Sequence, residues 1–379
     1  MTALGGSAPG LLSRVTPSRA TALRLPPGVT RLGMRQVGRL VLNPRLPWEL
    51  QRRRLDQAVR GLPVPRGARI DGRVLNGIRA EVVTASGVRP ERTVVHFHGG
   101  GYCIGSPRMM RTWAAHLSAR AACRVVVPDY RLAPEDPHPA GLDDARAVMD
   151  ALLGEGPPAS IVVSGDSAGG GLALSFLLAL RDAGERLPAG CMLASPWLDL
   201  SRDRRAVPGL VRREVMLSPG WLEACALAYA PRADWAAASV SPLLAAHGGL
   251  PPLLIQAGSD DLLAPDAEGL AASASAAGVD VTYTRWPRMW HYFALQPGLV
   301  AAADSALSQA AWFVETVTGP RSAGARPRSR AGLPRLSQPT PHSRRSHSGS
   351  CDSDARDNVS IIGCPSTATH APCRSAATA

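Results

Sequence analysis

The chain has 379 residues and is 45% hydrophobic, enough to bury one large core and still carry appendages. Its formal charge is +12, yet all 42 basic residues are arginine. The absence of lysine excludes a Walker-type phosphate lysine, a Schiff-base lysine and a Ser-Lys dyad.

The charge is concentrated at the ends. Eleven arginines lie in residues 1–60 and nine in 320–379, which leaves the middle of the chain close to neutral. No apolar run reaches the roughly eighteen residues of a membrane-spanning helix, so no stable membrane anchor is expected. The arginine-bearing start lacks the continuous apolar stretch of a secretory leader. Seven scattered cysteines, an odd number, point to reduced thiols and a cytoplasmic protein.

In chain order, residues 1–30 are rich in Ser, Thr, Pro and Gly and are expected to be loose. From 31 to about 60, Met34, Val37, Leu40 and Val41, then Leu50, Leu55 and Val59, recur at helical spacing on either side of a proline-bearing break. Two arginine-flanked amphipathic helices are predicted, packed over a site rather than laid on a membrane. Residues 73–85 and 92–98 alternate like strands, and the second run enters His98-Gly99-Gly100-Gly101. Such a glycine run lets backbone N–H groups converge on an anion. His98 is read as a histidine that fixes its own loop, not as a base, and Cys103 as a packed thiol.

A helix over 112–122 and a strand over Arg124–Val127 follow. Asp129-Tyr130-Arg131-Leu132-Ala133-Pro134-Glu135 then precedes a helix over Ala140–Leu153. The next strand, Ile161-Val162-Val163, runs into Gly165-Asp166-Ser167-Ala168-Gly169, and Leu172–Arg181 reads as a helix. A sharp strand-to-helix turn strains its apex and lifts the Ser167 hydroxyl clear, while the amide of Ala168 falls at the helix start. Further strands are expected at Cys191–Ala194, Pro252–Gly258 and Val279–Arg285, and a last helix over Val300–Val317. Beyond Gly319 the composition turns to Ser, Arg, Pro, Thr and His, so 320–379 is expected to be a disordered tail. Its cysteines and histidines lack metal-ligand spacing.

His-Gly-Gly-Gly, Asp-Tyr-Arg-Leu-Ala-Pro-Glu and Gly-Asp-Ser-Ala-Gly-Gly, in this order, resemble the hormone-sensitive-lipase family of bacterial esterases over roughly residues 30–318. The resemblance implies an α/β-hydrolase fold, with a mostly parallel central sheet, helices on both faces and a helical cap formed by about 31–60 and 200–245 within a domain spanning 31–319. It implies a serine esterase in which Ser167 is the nucleophile, Asp261 the acid and His291 the base. The amides of Gly100, Gly101 and Ala168 would form the oxyanion hole. Family members usually follow the acid with proline, whereas Leu262 stands here, so Asp260 remains an alternative acid. The expected substrate is a small ester of short-to-medium acyl length, or a lactone. No metal, cofactor or nucleic-acid partner is expected, and the oligomeric state is not legible. A ligand receptor on a dead hydrolase scaffold is disfavoured because His291 is retained.

Overall fold

The computed structural model describes residues 26–319. Of the loose N-terminus expected over 1–30, residues 1–25 lie outside the described residues, as does the tail expected over 320–379, while 27–30 belong to a helix instead. Eight strands form one sheet: β1 (Arg69–Leu75), β2 (Ile78–Thr84), β3 (Arg92–Phe97), β4 (Cys123–Pro128), β5 (Ile161–Asp166), β6 (Gly190–Ala194), β7 (Leu253–Gly258) and β8 (Val281–Trp286). Their spatial order is β1-β2-β4-β3-β5-β6-β7-β8. The β1–β2 and β2–β4 pairs are antiparallel and all others parallel.

The run read from the sequence as a single alternating stretch over 73–85 is a hairpin. Asn76 and Gly77 both have positive φ, 44° and 87°, as a two-residue turn matched to the strand twist requires. The expected helix at the N-terminus begins earlier than predicted, with α1 at Pro27–Val41, and α2 spans Trp48–Arg60. Leu40, counted among the apolar positions, is 60% exposed, whereas Val41 beside it is buried.

The parallel strands are apolar at successive positions because both faces are covered. Val94, Val162, Met192 and Leu254 face one way, towards α3 (Arg111–Ala121) and α9 (Ala301–Thr318). Val95, Val163, Leu193 and Ile255, one residue on, face α4 (Ala140–Leu153), α5 (Ser167–Asp182) and α8 (Ala264–Ala276). Each such fully buried aliphatic side chain contributes about 1.5–3 kcal/mol of transfer free energy. Between β6 and β7 the chain leaves the sheet for a long excursion that carries α6 (Pro208–Arg213) and α7 (Pro219–Tyr229). This excursion meets the N-terminal helices. The Trp221 indole N–H donates to Gln51 Oε1 at 2.9 Å, and the Gln51 amide donates to the carbonyls of Asn43 and Leu46.

Candidate active site

Ser167 stands where β5 becomes α5, with φ +51°, and is 5% exposed. The flanking glycines answer to close approach. A Cβ on Gly165 would lie 2.2 Å from the Gly169 carbonyl oxygen, and one on Gly169 2.0 Å from that of Phe97. A larger residue at Gly165 would force the strand and helix of the turn apart, and one at Gly169 would push α5 off the end of β3, so both glycines are dictated by packing around the turn.

The glycine loop after β3 lies next to this turn. Gly100 and Gly101 have φ +122° and +61°. The Gly99 N–H is already engaged, donating to Asp166 Oδ1 at 2.9 Å. The same oxygen accepts from His96 Nε2–H at 3.0 Å, leaving His96 Nδ1 to accept from the Ser164 hydroxyl. A buried His96–Asp166 pair therefore ties the glycine loop to the residue before Ser167. Among the described residues the amides of Gly100, Gly101 and Ala168 have no hydrogen-bond acceptor.

His98 donates from Nδ1 to the carbonyl of Gly99 at 2.8 Å and stacks on Tyr130 at 4.5 Å. Burial lowers its pKa. Cys103 is fully buried, its thiol 3.9 Å from the Cys225 carbonyl oxygen.

Asp261 follows β7 and His291 follows β8. His291 Nδ1 lies 3.1 and 3.2 Å from the two oxygens of Asp261, and both residues are buried. Asp261 Oδ1 also accepts from the Leu263 N–H at 2.9 Å. Burial alone would lower the His291 pKa, but the charge and hydrogen bond of Asp261, then the charges of Glu214 and Asp166, raise it above the ordinary histidine value. The neighbouring acids are committed elsewhere. Asp260 pairs with Arg31 at 2.9 Å and Arg213 at 3.2 Å, and Asp266 with Arg204 at 2.7 Å. No hydrogen bond joins Ser167 Oγ to His291.

Two residues here carried no sequence signal. Arg52 of α2 donates to the Cys103 carbonyl at 2.8 Å, to the Ala133 carbonyl at 2.9 Å and to Glu135 at 2.7 Å, clamping the glycine loop to the Arg-Leu-Ala-Pro-Glu segment. Glu214, just after α6, is buried beside Asp261 and His291. Both sit in segments whose arginines and acids look like ordinary surface charge in sequence. Only the pairing of distant segments marks them.

Gly101 also meets the excursion. A Cβ there would stand 2.5 Å from Cys225 Sγ and 2.9 Å from the Trp221 ring, so α7 closes directly over the glycine loop.

A family model described as an alpha/beta hydrolase fold matches residues 94–295. An acetyl-hydrolase of Streptomyces hygroscopicus is 40% identical over 244 residues, 62% of this chain and 81% of that protein. An esterase of Acinetobacter venetianus is 33% identical over 272 residues, 69% of this chain and 87% of that protein. Among solved structures, an esterase from the bacterial hormone-sensitive lipase family superposes with a TM-score of 0.73 at 34% identity, covering 77% of this chain and 98% of that one.

Proposed function

This chain belongs to the hormone-sensitive-lipase family of bacterial esterases, with the α/β-hydrolase fold, and is an ester-hydrolysing enzyme; from that premise we propose that it works through a covalent acyl-enzyme on Ser167. The observation that carries this reading is the Asp261–His291 pair at 3.1 Å, held on the loops after β7 and β8, at the same end of the parallel strands as the strained turn after β5 that bears Ser167.

A serine hydroxyl needs a base at neutral pH. His291 Nε2 takes the Ser167 proton as Oγ attacks the ester carbonyl, and Asp261 holds Nδ1–H and stabilises the imidazolium. The contact between Oγ and Nε2 closes in the substrate complex, since such bonds are often long in the free enzyme. Negative charge develops on the carbonyl oxygen, where the amides of Gly100, Gly101 and Ala168 await it, and losing one such donor costs about 3 kcal/mol of barrier. His291 then protonates the departing alcohol. Water, deprotonated by the same imidazole, attacks the acyl-enzyme and releases the acid.

The Streptomyces relative is named an acetyl-hydrolase, and Trp221 and Cys225 of the excursion lie against Gly101 of the glycine loop. Short-to-medium acyl esters are therefore the proposed substrates. Lactones of similar size use the same steps and belong in the same test. A serine-directed organophosphonate should add one label per chain, on Ser167, and abolish hydrolysis. Labelling at Cys103, or full activity in Ser167→Ala, would exclude this mechanism.

A further inference from the structure

Glu214 is a charged residue that is 5% exposed, lies outside the triad, and projects from the excursion into the heart of the site. Its carboxylate accepts four backbone N–H groups and touches no donor side chain. Oε1 accepts from Val215 at 2.7 Å and Met216 at 2.8 Å. Oε2 accepts from Leu262 at 3.2 Å and His291 at 3.3 Å. The first pair anchors the carboxylate to its own turn. The second grips the main chain at the base itself and one residue after the acid. All four partners are donors, so only a group that accepts at both oxygens satisfies them. A glutamine would aim its NH₂ at two N–H groups whichever way it turned.

We infer that Glu214 is a positioning residue for ester hydrolysis, fixing the backbones of Asp261 and His291 to one another from the cap segment and placing a second negative charge beside the imidazole. This rests on the reading of Asp261 and His291 as acid and base. Three independent segments meet at the site: the β7–α8 loop, the loop after β8, and the turn after α6. The Asp261–His291 bond spans two of them, and Glu214 ties both to the third. Displacing a reacting group by about 1 Å can cost about a hundredfold in rate, so a common anchor on the two backbones bears directly on turnover.

The second effect is electrostatic. The charged groups acting on His291 are Asp261, Glu214 and Asp166, all negative. Those acting on Glu214 are Asp261, which with burial raises its pKa, and His291, which lowers it. The nearby arginines, Arg31 and Arg213, are taken up by Asp260. Glu214 thus favours the imidazolium that forms when Ser167 gives up its proton.

The test compares pH profiles of kcat and kcat/KM on a short p-nitrophenyl ester for the full chain and for Glu214→Gln and Glu214→Asp, with Ser167→Ala and His291→Asn alongside. Glu214→Gln should lower kcat about 10- to 100-fold with KM little changed, as loss of a group orienting a reacting residue does. It should also move the acid limb of kcat/KM to lower pH by about half a unit or more, because removing a negative charge disfavours the imidazolium. Glu214→Asp keeps the charge and the all-acceptor character, so its acid limb should stay in place while kcat falls. Wild-type kcat in either variant, or an acid limb unmoved in Glu214→Gln, would overturn the inference. Failure of both variants to fold would overturn it too, making Glu214 a residue of the fold alone. Wild-type turnover in Ser167→Ala or His291→Asn would instead sink the triad, whatever Glu214 does.

Discussion

At the scale of single residues, the proposed mechanism assigns different work to acids that stand side by side. Asp260 and Asp261 are adjacent in sequence but face different partners, an arginine pair and His291. Asp261→Asn should therefore cut turnover by about 10³- to 10⁴-fold by favouring the wrong imidazole tautomer. Asp260→Asn should leave the chemistry in place and cost no more than about 1 kcal/mol of stability, because Arg31 keeps its bonds to the carbonyls of Arg213 and Arg288 and Arg213 is exposed. Steady-state kinetics and melting of the two variants would separate them, and the reverse pattern would move the acid to Asp260. The pH dependence has a definite sign. In the proposed mechanism only neutral His291 accepts the serine proton, and its pKa lies above the ordinary histidine value. Activity should rise with pH through one ionisation whose midpoint lies above about 6.5. A profile still flat well below that value would contradict the raised pKa.

At the scale of elements, the contact between α2 and α7 depends on a residue with no apolar character. Gln51 is fully buried and makes three hydrogen bonds, to the Trp221 indole and to the carbonyls of Asn43 and Leu46. Gln51→Leu keeps the volume but orphans all three groups, at about 2–4 kcal/mol in total. Thermal unfolding should shift down by about 5–12 °C for a domain of this size. A shift under a degree or two would mean that the N-terminal helices are held by packing alone. Leu40 illustrates the opposite case. It fits the helical period of α1 and is nevertheless exposed, because only a narrow stripe of that helix, around Met34, Val37 and Val41, is covered.

At the scale of the whole molecule, the sheet holds Ser167, Asp261 and His291 at the ends of strands, and the excursion after β6 closes over the glycine loop. Trp221 and Cys225 press on Gly101, and Gln51 fixes Trp221 in turn. On p-nitrophenyl esters of increasing acyl length, each methylene that fits should add about 0.8 kcal/mol to transition-state binding. The gain should stop abruptly by about eight carbons. Specificity that climbs to sixteen carbons would show an open groove and overturn the short-chain reading.

The parallel sheet and the turn at Ser167 were legible in the chain's own pattern, because both follow from short-range rules. Strands buried on two faces must be continuously apolar, as Val94-Val95 and Val162-Val163 are. A strand that folds back at once into a helix leaves no room for a Cβ at Gly165, although the crowding at Gly169 comes from the end of β3. The sequence also placed Asp261 and His291 after strands and favoured Asp261 as the acid, with Asp260 left as the alternative. That choice depends on which carboxylate the loop turns inward, and β7 ends only two residues earlier. The Asn76-Gly77 turn was legible in principle, since two residues of positive φ demand that dipeptide, yet the alternation around it read as one strand. Arg52, Gln51 and Glu214 were decided by tertiary structure alone. Each satisfies backbone or indole groups from segments far away in the chain, and a polar residue bears no mark in sequence of the partners that burial will bring to it.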